Sequence, residues 1–222
     1  MNMSRNQFLR NELVSAVHEH GINIHTRELY LHGHIGESEE EPGVDYRMAV
    51  RLEKNLRLLS KSTTLPILIH MHTIGGEWHD GMGIYDAIQS NPSVVTILAY
   101  GSISSMSSVI FQAADFRVLM PHSEFMTHYG SISVECNSVS AKSAIDWNER
   151  CNKIMLGIYA EKCKDGERFQ GYSLTRIKKF IDTKMRQKQE WYLNSREAVE
   201  YGFADAVFGD DECQSFGALL EE

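Results

Sequence analysis

Short apolar runs that alternate with helical periodicity predict an α/β fold, in which repeated β-α-β units build a mostly parallel sheet. Leu65–Met71 reads as a buried strand ahead of Gly75-Gly76, and GMGIYDAIQSN from Gly81 returns to helical spacing before the Asn91-Pro92 stop. Val94–Tyr100 opens a second unit on the same plan: a small-residue turn, a helix over Ser105–Ala114 and a strand over Phe116–Met120. Right-handed crossovers bring the C-terminal ends of parallel strands to one edge, where open α/β sheets place ligands. The Gly75-Gly76 turn and the serine-rich turn after Tyr100 are therefore expected to be neighbours.

The flanking elements follow from the same patterns. Phe8, Leu9, Leu13 and Val17 give Asn6–His18 a helical face, and Arg27–His32 reads as a strand ended by Gly33. Glu37–Gly43 is an acidic loop, and Met48–Leu59 is again helical. Ser140–Cys163 forms one long amphipathic pattern with Ile145, Ile154, Met155, Ile158 and Tyr159 on its apolar side. That is too long for a simple crossover; the helix either projects to pack against another subunit or lies across its own core. Arg176–Lys188 is basic and reads as a solvated helix face. Asn194-Ser-Arg-Glu197 resembles a capping box, Gly202 a helix stop, and Ala204–Phe208 a last strand.

At 222 residues and 42% hydrophobic content the chain can bury one sizeable core, so residues 1–222 are expected to form a single domain with residues 1–26 as an N-terminal segment. The net charge of −8 argues against nucleic-acid binding, which needs clustered Lys and Arg. Cys136, Cys151, Cys163 and Cys213 include no C-x-x-C pair, which suits reduced thiols. The polar N-terminus lacks a signal-peptide core, and no run approaches the ~18 apolar residues of a membrane span. A soluble, cytoplasmic protein is expected, with no membrane partner. No Walker-type loop and no G-x-G-x-x-G after a strand appears, so no nucleotide or other cofactor is expected.

The chemistry centres on YGSISSMSSVIF, residues 100–111, where Ser102, Ser104, Ser105, Ser107 and Ser108 crowd a strand-to-helix turn. A serine there gains from the unpaired N–H groups and positive dipole end of the helix, yet each also suits a capping or first-turn role. The neighbouring Gly pair offers exposed N–H donors of the kind an oxyanion hole requires. His128, in a loop after Phe116–Met120, is a base that returns to the same region. The pairs His32/His34 and His70/His72 have i, i+2 spacing that a metal site could use, but two ligands leave a tetrahedral site half empty and no metal is expected.

An ordered series carries a resemblance: Gly75-Gly76, Gly81-Met-Gly-Ile-Tyr-Asp86, Gly101 with Ser105-Met106, Phe125-Met-Thr-His128, and Glu197-Ala-Val-Glu-Tyr-Gly202. Over roughly Arg27–Phe208 the chain resembles ClpP, the caseinolytic serine peptidase of the Clp proteases. The resemblance implies a ClpP/crotonase-like fold with a long protruding handle helix, the handle region spanning about 131–185. It places the nucleophile on Ser105, the base on His128, the oxyanion donors on the N–H groups of Gly76 and Met106, and the acidic member on Glu190. Asp182 is the fallback for orienting His128. The sequence departs from the family at several points. Glutamate stands for the usual aspartate, Ile74 for proline, Ser107 for glycine, and Tyr129-Gly130 for Gln-Pro.

These implications describe a Ser-His-acid endopeptidase acting on peptides or unfolded proteins, assembled as a homo-oligomeric double ring of heptamers and served by an AAA+ unfoldase. Two other readings stay open on the sequence: an inactive ring or scaffold subunit that keeps the fold, and a crotonase-type acyl-CoA enzyme, which would hold a thioester enolate with the same two N–H groups.

Overall fold

The computed structural model describes residues 5–32, 43–61, 63–130, 133, 135, 137–210 and 213–220. Most of the acidic loop over Glu37–Gly43, the strand-ending Gly33, His34 and Cys136 lie outside them. Helix α1 (Arg5–His20) leads through β1 (Ile22–Asn23) into β2 (Glu28–His32), α2 (Tyr46–Ser60) and β3 (Ile67–Thr73). Then follow α3 (Trp78–Gln89), β4 (Val95–Ser104), α4 (Met106–Phe111), β5 (Phe116–Leu119) and β6 (Glu124–His128). The chain closes with α5 (Ser138–Cys163), α6 (Leu174–Lys188), β7 (Glu190–Asn194), α7 (Ser195–Glu200) and β8 (Ala206–Val207).

Strands β2, β3, β4, β5 and β8 pair in parallel, with β1 antiparallel at one edge, as the alternation of strand and helix predicts. Each strand sends alternate residues to opposite faces. On β3, Ile67, Ile69 and Met71 join the larger core under the helices, whereas Leu68 joins a smaller cluster with Leu98, Val118 and Leu219. Helix α2 shows how local sequence fixes an element: the Asp45 carboxylate accepts the Met48 N–H at 2.9 Å, and Met48, Leu52, Leu56 and Leu59 form its buried stripe.

β4 is the branch point. Its first half, Thr96–Ala99, pairs with β5; its second half, Ser102–Ser104, pairs with β6, and β6 in turn carries β7 antiparallel. Gly101, at φ 57, lies between the two halves, and a Cβ there would sit 2.7 Å from His72 Nε2. The strand therefore continues past Tyr100, where sequence patterning ends it. A second departure concerns His128, which closes strand β6 and does not sit in a loop.

Helix α5 lies across its own core over its second half only. Cys151, Met155, Tyr159, Ala160 and Cys163 are buried against the body, while none of residues 138–150 is buried. No helix among the described residues is long and apolar enough to cross a membrane.

Candidate active site

Ser105 stands at the corner between β4 and α4 with φ 56 and ψ −126, a region that a residue bearing a Cβ enters only under constraint. Such a conformation costs about 1–3 kcal/mol and persists where its surroundings over-determine it. They do so here from both sides. The Ser105 N–H donates to Met126 O at 3.0 Å, continuing the β4–β6 ladder, and the Ser105 carbonyl accepts the Ser108 N–H at 3.0 Å.

The other four serines of the turn are occupied by the backbone, by one another or, for Ser108, also by the Tyr159 hydroxyl at 2.6 Å. Ser107 Oγ donates to the carbonyls of Thr73 and Ser104, each at 2.6 Å, and Ser108 Oγ to that of Ser105 at 2.5 Å. Ser102 and Ser104 share a hydroxyl contact of 2.6 Å. Ser105 occupies the N-cap position of α4 and yet makes no side-chain cap bond. Its hydroxyl instead lies 2.8 Å from His128 Nε2. The parallel pairing of Ser104 with Met126 brings this about, because it carries the end of β6 past the end of β4.

The Gly75-Gly76 turn closes on the same corner. A Cβ on Gly75, at φ 97, would lie 2.6 Å from Ser104 O, 2.7 Å from Ser105 Cβ and 2.8 Å from Met106 N, so no larger residue allows this approach. Among the described residues, no hydrogen bond uses the N–H of Gly76 or of Met106. Both groups therefore remain available beside Ser105. Gly81 contributes in a way the sequence pattern does not reveal: its missing side chain leaves room for Met106, whose Cγ lies 2.3 Å from where a Cβ would stand.

A cavity of about 250 Å³ opens at this corner, lined by Gly76, Ser105, Met106 and His128 and walled by Trp78, Val109, Trp147 and Met155. Trp147 on α5 stacks on His79 at the start of α3, centroids 5.3 Å apart, so the helix reaches over the cleft. Cys151 also lines it, but burial pushes its thiol pKa up, which disfavours the reactive thiolate.

The acidic candidates are placed differently. Glu190 pairs directly opposite His128 across the β6–β7 ladder, is exposed, and accepts the Tyr192 hydroxyl at 3.1 Å. Among the described residues no hydrogen bond joins it to His128. Asp182 on α6 accepts the Tyr129 hydroxyl and the Arg186 Nε–H, the latter at 2.8 Å, so its carboxylate is engaged away from the imidazole. The histidines weighed for a metal do not converge with further ligands: among the described residues no group of three or more His, Cys, Asp or Glu could hold an ion.

Comparison with known proteins agrees with this architecture. The Clp protease family model matches residues 39–211. The ATP-dependent Clp protease proteolytic subunit 2 of Pseudomonas aeruginosa is 27% identical over 171 residues, which cover 74% of this chain and 77% of that protein. The ATP-dependent Clp protease proteolytic subunit of Chlorella vulgaris is 28% identical over 146 residues, 65% of this chain and 66% of that one. Among solved structures, a ClpP1 mutant from Listeria monocytogenes shares the fold, with a TM-score of 0.65 at 23% identity over 88% of this chain and 96% of the other.

Proposed function

The chain belongs to the Clp protease family, and from that premise we propose that it is a serine endopeptidase subunit whose nucleophile is Ser105. The observation that carries this reading is the 2.8 Å contact between Ser105 Oγ and His128 Nε2 at a strained strand-to-helix corner. In the reaction, Oγ attacks the peptide carbonyl as its proton passes to His128 Nε2. The N–H groups of Gly76 and Met106 hold the oxyanion of the tetrahedral intermediate. Its collapse breaks the C–N bond, His128 returns the proton to the leaving amine, and water, activated in turn by His128, releases the acyl group.

Glu190 is the residue we assign to orient the imidazole, since it lies directly opposite His128 across the β6–β7 ladder and its carboxylate accepts a single hydroxyl, that of Tyr192. Asp182 would first have to give up two donors. Glu190→Gln should therefore lower kcat more than Asp182→Asn does in a direct comparison of peptidase rates.

Assembly into paired heptameric rings fits α5. Its 26 residues span about 39 Å at 1.5 Å per residue, and Val139, Ile145 and Ile154 are exposed along it. In that assembly the handle would be the first half of α5, residues 138–150, shorter than the 131–185 expected from the sequence, because from Cys151 on the chain packs into the body, with Ile177, Ile181 and Met185 of α6 buried there. The relatives are named ATP-dependent, while this sequence has no Walker-type loop; an AAA+ unfoldase is accordingly the partner we assign, delivering unfolded chains to a cytoplasmic particle. Intact-mass analysis after fluorophosphonate treatment, with peptide mapping, tests the assignment. One adduct on Ser105 and none in Ser105→Ala is the expected result. Labelling of another serine refutes the nucleophile, and absence of labelling in a ring-sized particle selects the inactive scaffold reading.

A further inference from the structure

His128 is held from behind by a helix that also delivers the acidic residue. Along β6 the side chains alternate, so that His128 faces Ser105 while its neighbour Thr127, fully buried, points the other way. Thr127 Oγ1 lies 3.8 Å from Met185 Sδ on α6. One residue beyond His128, the Tyr129 hydroxyl donates to Asp182 Oδ1, also on α6. Arg186, one turn further along, donates its Nε–H to the same oxygen at 2.8 Å, and its guanidinium lies 5.3 Å from the Tyr129 ring centroid. The residues flanking His128 are thus both fixed to one face of α6. Helix α6 then ends, Gln189 turns the chain at φ 64, and Glu190 opens β7 opposite His128.

We infer that Tyr129, Asp182 and Arg186 form a positioning clamp, which holds the end of β6 against α6 and so fixes the imidazole at hydrogen-bond distance from Ser105 and in register with Glu190. Among the described residues none of the three makes a hydrogen bond to Ser105 or to the His128 ring; they act through the backbone of His128. The bond from a tyrosine hydroxyl to a carboxylate is charge-assisted and directional. Burial, and then the Asp182 carboxylate, push the Tyr129 pKa up, so the phenol keeps its proton and remains a donor. The clamp rests on the peptidase reading above, and it refines that reading by giving the Tyr129-Gly130 departure a role: the tyrosine supplies a tether through its side chain.

Misplacing a catalytic group by about 1 Å can cost as much as 10²-fold in rate, so loosening the clamp should act on turnover and leave binding alone. Tyr129→Phe keeps the ring and removes only the donor. Its kcat should fall about 10-fold with KM within about twofold, and fluorophosphonate acylation of Ser105 should slow by the same factor. Asp182→Asn, which retains an acceptor, should lose less, and the double variant should fall short of the product of the two single losses, because both changes act on the Tyr129–Asp182 bond. A wild-type protein that is labelled at Ser105, with Tyr129→Phe labelled equally fast, overturns the clamp and leaves the nucleophile standing. Absence of labelling in the wild type overturns the peptidase reading and the clamp with it. Should Tyr129→Phe fail to fold, Asp182→Ala, which removes the acceptor altogether, carries the same comparison: an unchanged kcat and labelling rate there refutes the clamp, and a fall in kcat at constant KM supports it.

Discussion

Two histidines on this sheet have opposite surroundings. His128 ends β6 at the edge where β4 turns into α4, half-buried, with Nε2 2.8 Å from Ser105 Oγ. His70 sits within β3, buried, its Nδ1 2.9 Å from the Tyr100 hydroxyl and its ring stacked on Tyr30 with centroids 4.9 Å apart. Its Nε2 has no hydrogen-bond partner among the described residues, and the nearest carboxylate oxygen, on Glu28, is 3.6 Å away. Both side chains are imidazoles with a hydroxyl partner, but only that of His128 is a serine at a strained corner. Position along the strand makes the difference: a residue at the C-terminal edge faces the turns, whereas one in the middle faces the neighbouring strands and whatever packs over them.

The surest way to break this contrast is to delete each ring. His128→Ala should lower kcat by about 10³–10⁴-fold, the range for loss of a triad member, with little change in the thermal midpoint because the side chain is not part of the core. His70→Ala should do the reverse. Peptidase activity should stay within a few-fold, while stability falls by about 1–3 kcal/mol through the lost packing and the stranded Tyr100 hydroxyl. Denaturant melts and steady-state rates on both variants decide it. A folded His70→Ala protein with no acylation of Ser105 would show that the two regions are not separate.

A smaller effect is expected at the glycines that shape the site side of the sheet. Gly75→Ala places a methyl within 2.7 Å of Ser105 Cβ at a φ of 97, so the turn or Ser105 must move. Activity should fall by about 10²-fold, in line with a displacement near 1 Å, and stability by about 1–3 kcal/mol. Gly83 on the exposed side of α3 has nothing within 4 Å of the same added atom. Gly83→Ala should be neutral in rate and raise stability by up to about 1 kcal/mol, since alanine favours the helix. Equal losses at the two positions would mean that general helix or turn disruption, and not the approach to Ser105, sets the rate.

How much of this was legible in the sequence varies by element. The β2–β3–β4–β5 body was, because each strand carries buried aliphatic residues between breakers, from Leu29 and Leu31 in β2 to Val118 and Leu119 in β5. The β6–β7 arm was not. EFMTH and EWYLN are short, mix exposed and buried positions, and pair antiparallel only after α5 and α6 intervene, so neither shows a local signal that outweighs a loop reading. For the same reason periodicity left His128 in a loop. Ser105 was one of five candidates until a family register singled it out; in the structure its φ of 56 and its unused capping hydroxyl set it apart, and both depend on the tertiary contact with β6. The engagement of Asp182 with Tyr129 and Arg186 depends on how α6 docks on β6, which no spacing encodes.

The gentlest test of the contrast uses pH. Burial holds the His70 pKa below the ordinary histidine value of about 6.5, and Glu28 at 3.6 Å opposes that without cancelling it. As pH falls through about 6.5 the unfolded chain takes up a proton at this position while the folded chain does not, so stability declines from there down to the lowered folded pKa and then levels off; above about 6.5 the ring is neutral in both states and contributes no slope. His32, whose pKa burial also lowers, with His72 and His70 adding to the shift, slopes the same way. The thermal midpoint should therefore drop on acidification from pH 7.5 to 5.5, by roughly 2–4 °C for each kcal/mol lost in a chain of this size. His70→Phe, which keeps an aromatic ring against Tyr30 and removes the titration, should flatten part of that slope and leave the part due to His32. An unchanged slope in His70→Phe would mean that water reaches the imidazole in solution, and that the two histidines differ in their partners but not in their exposure to protons.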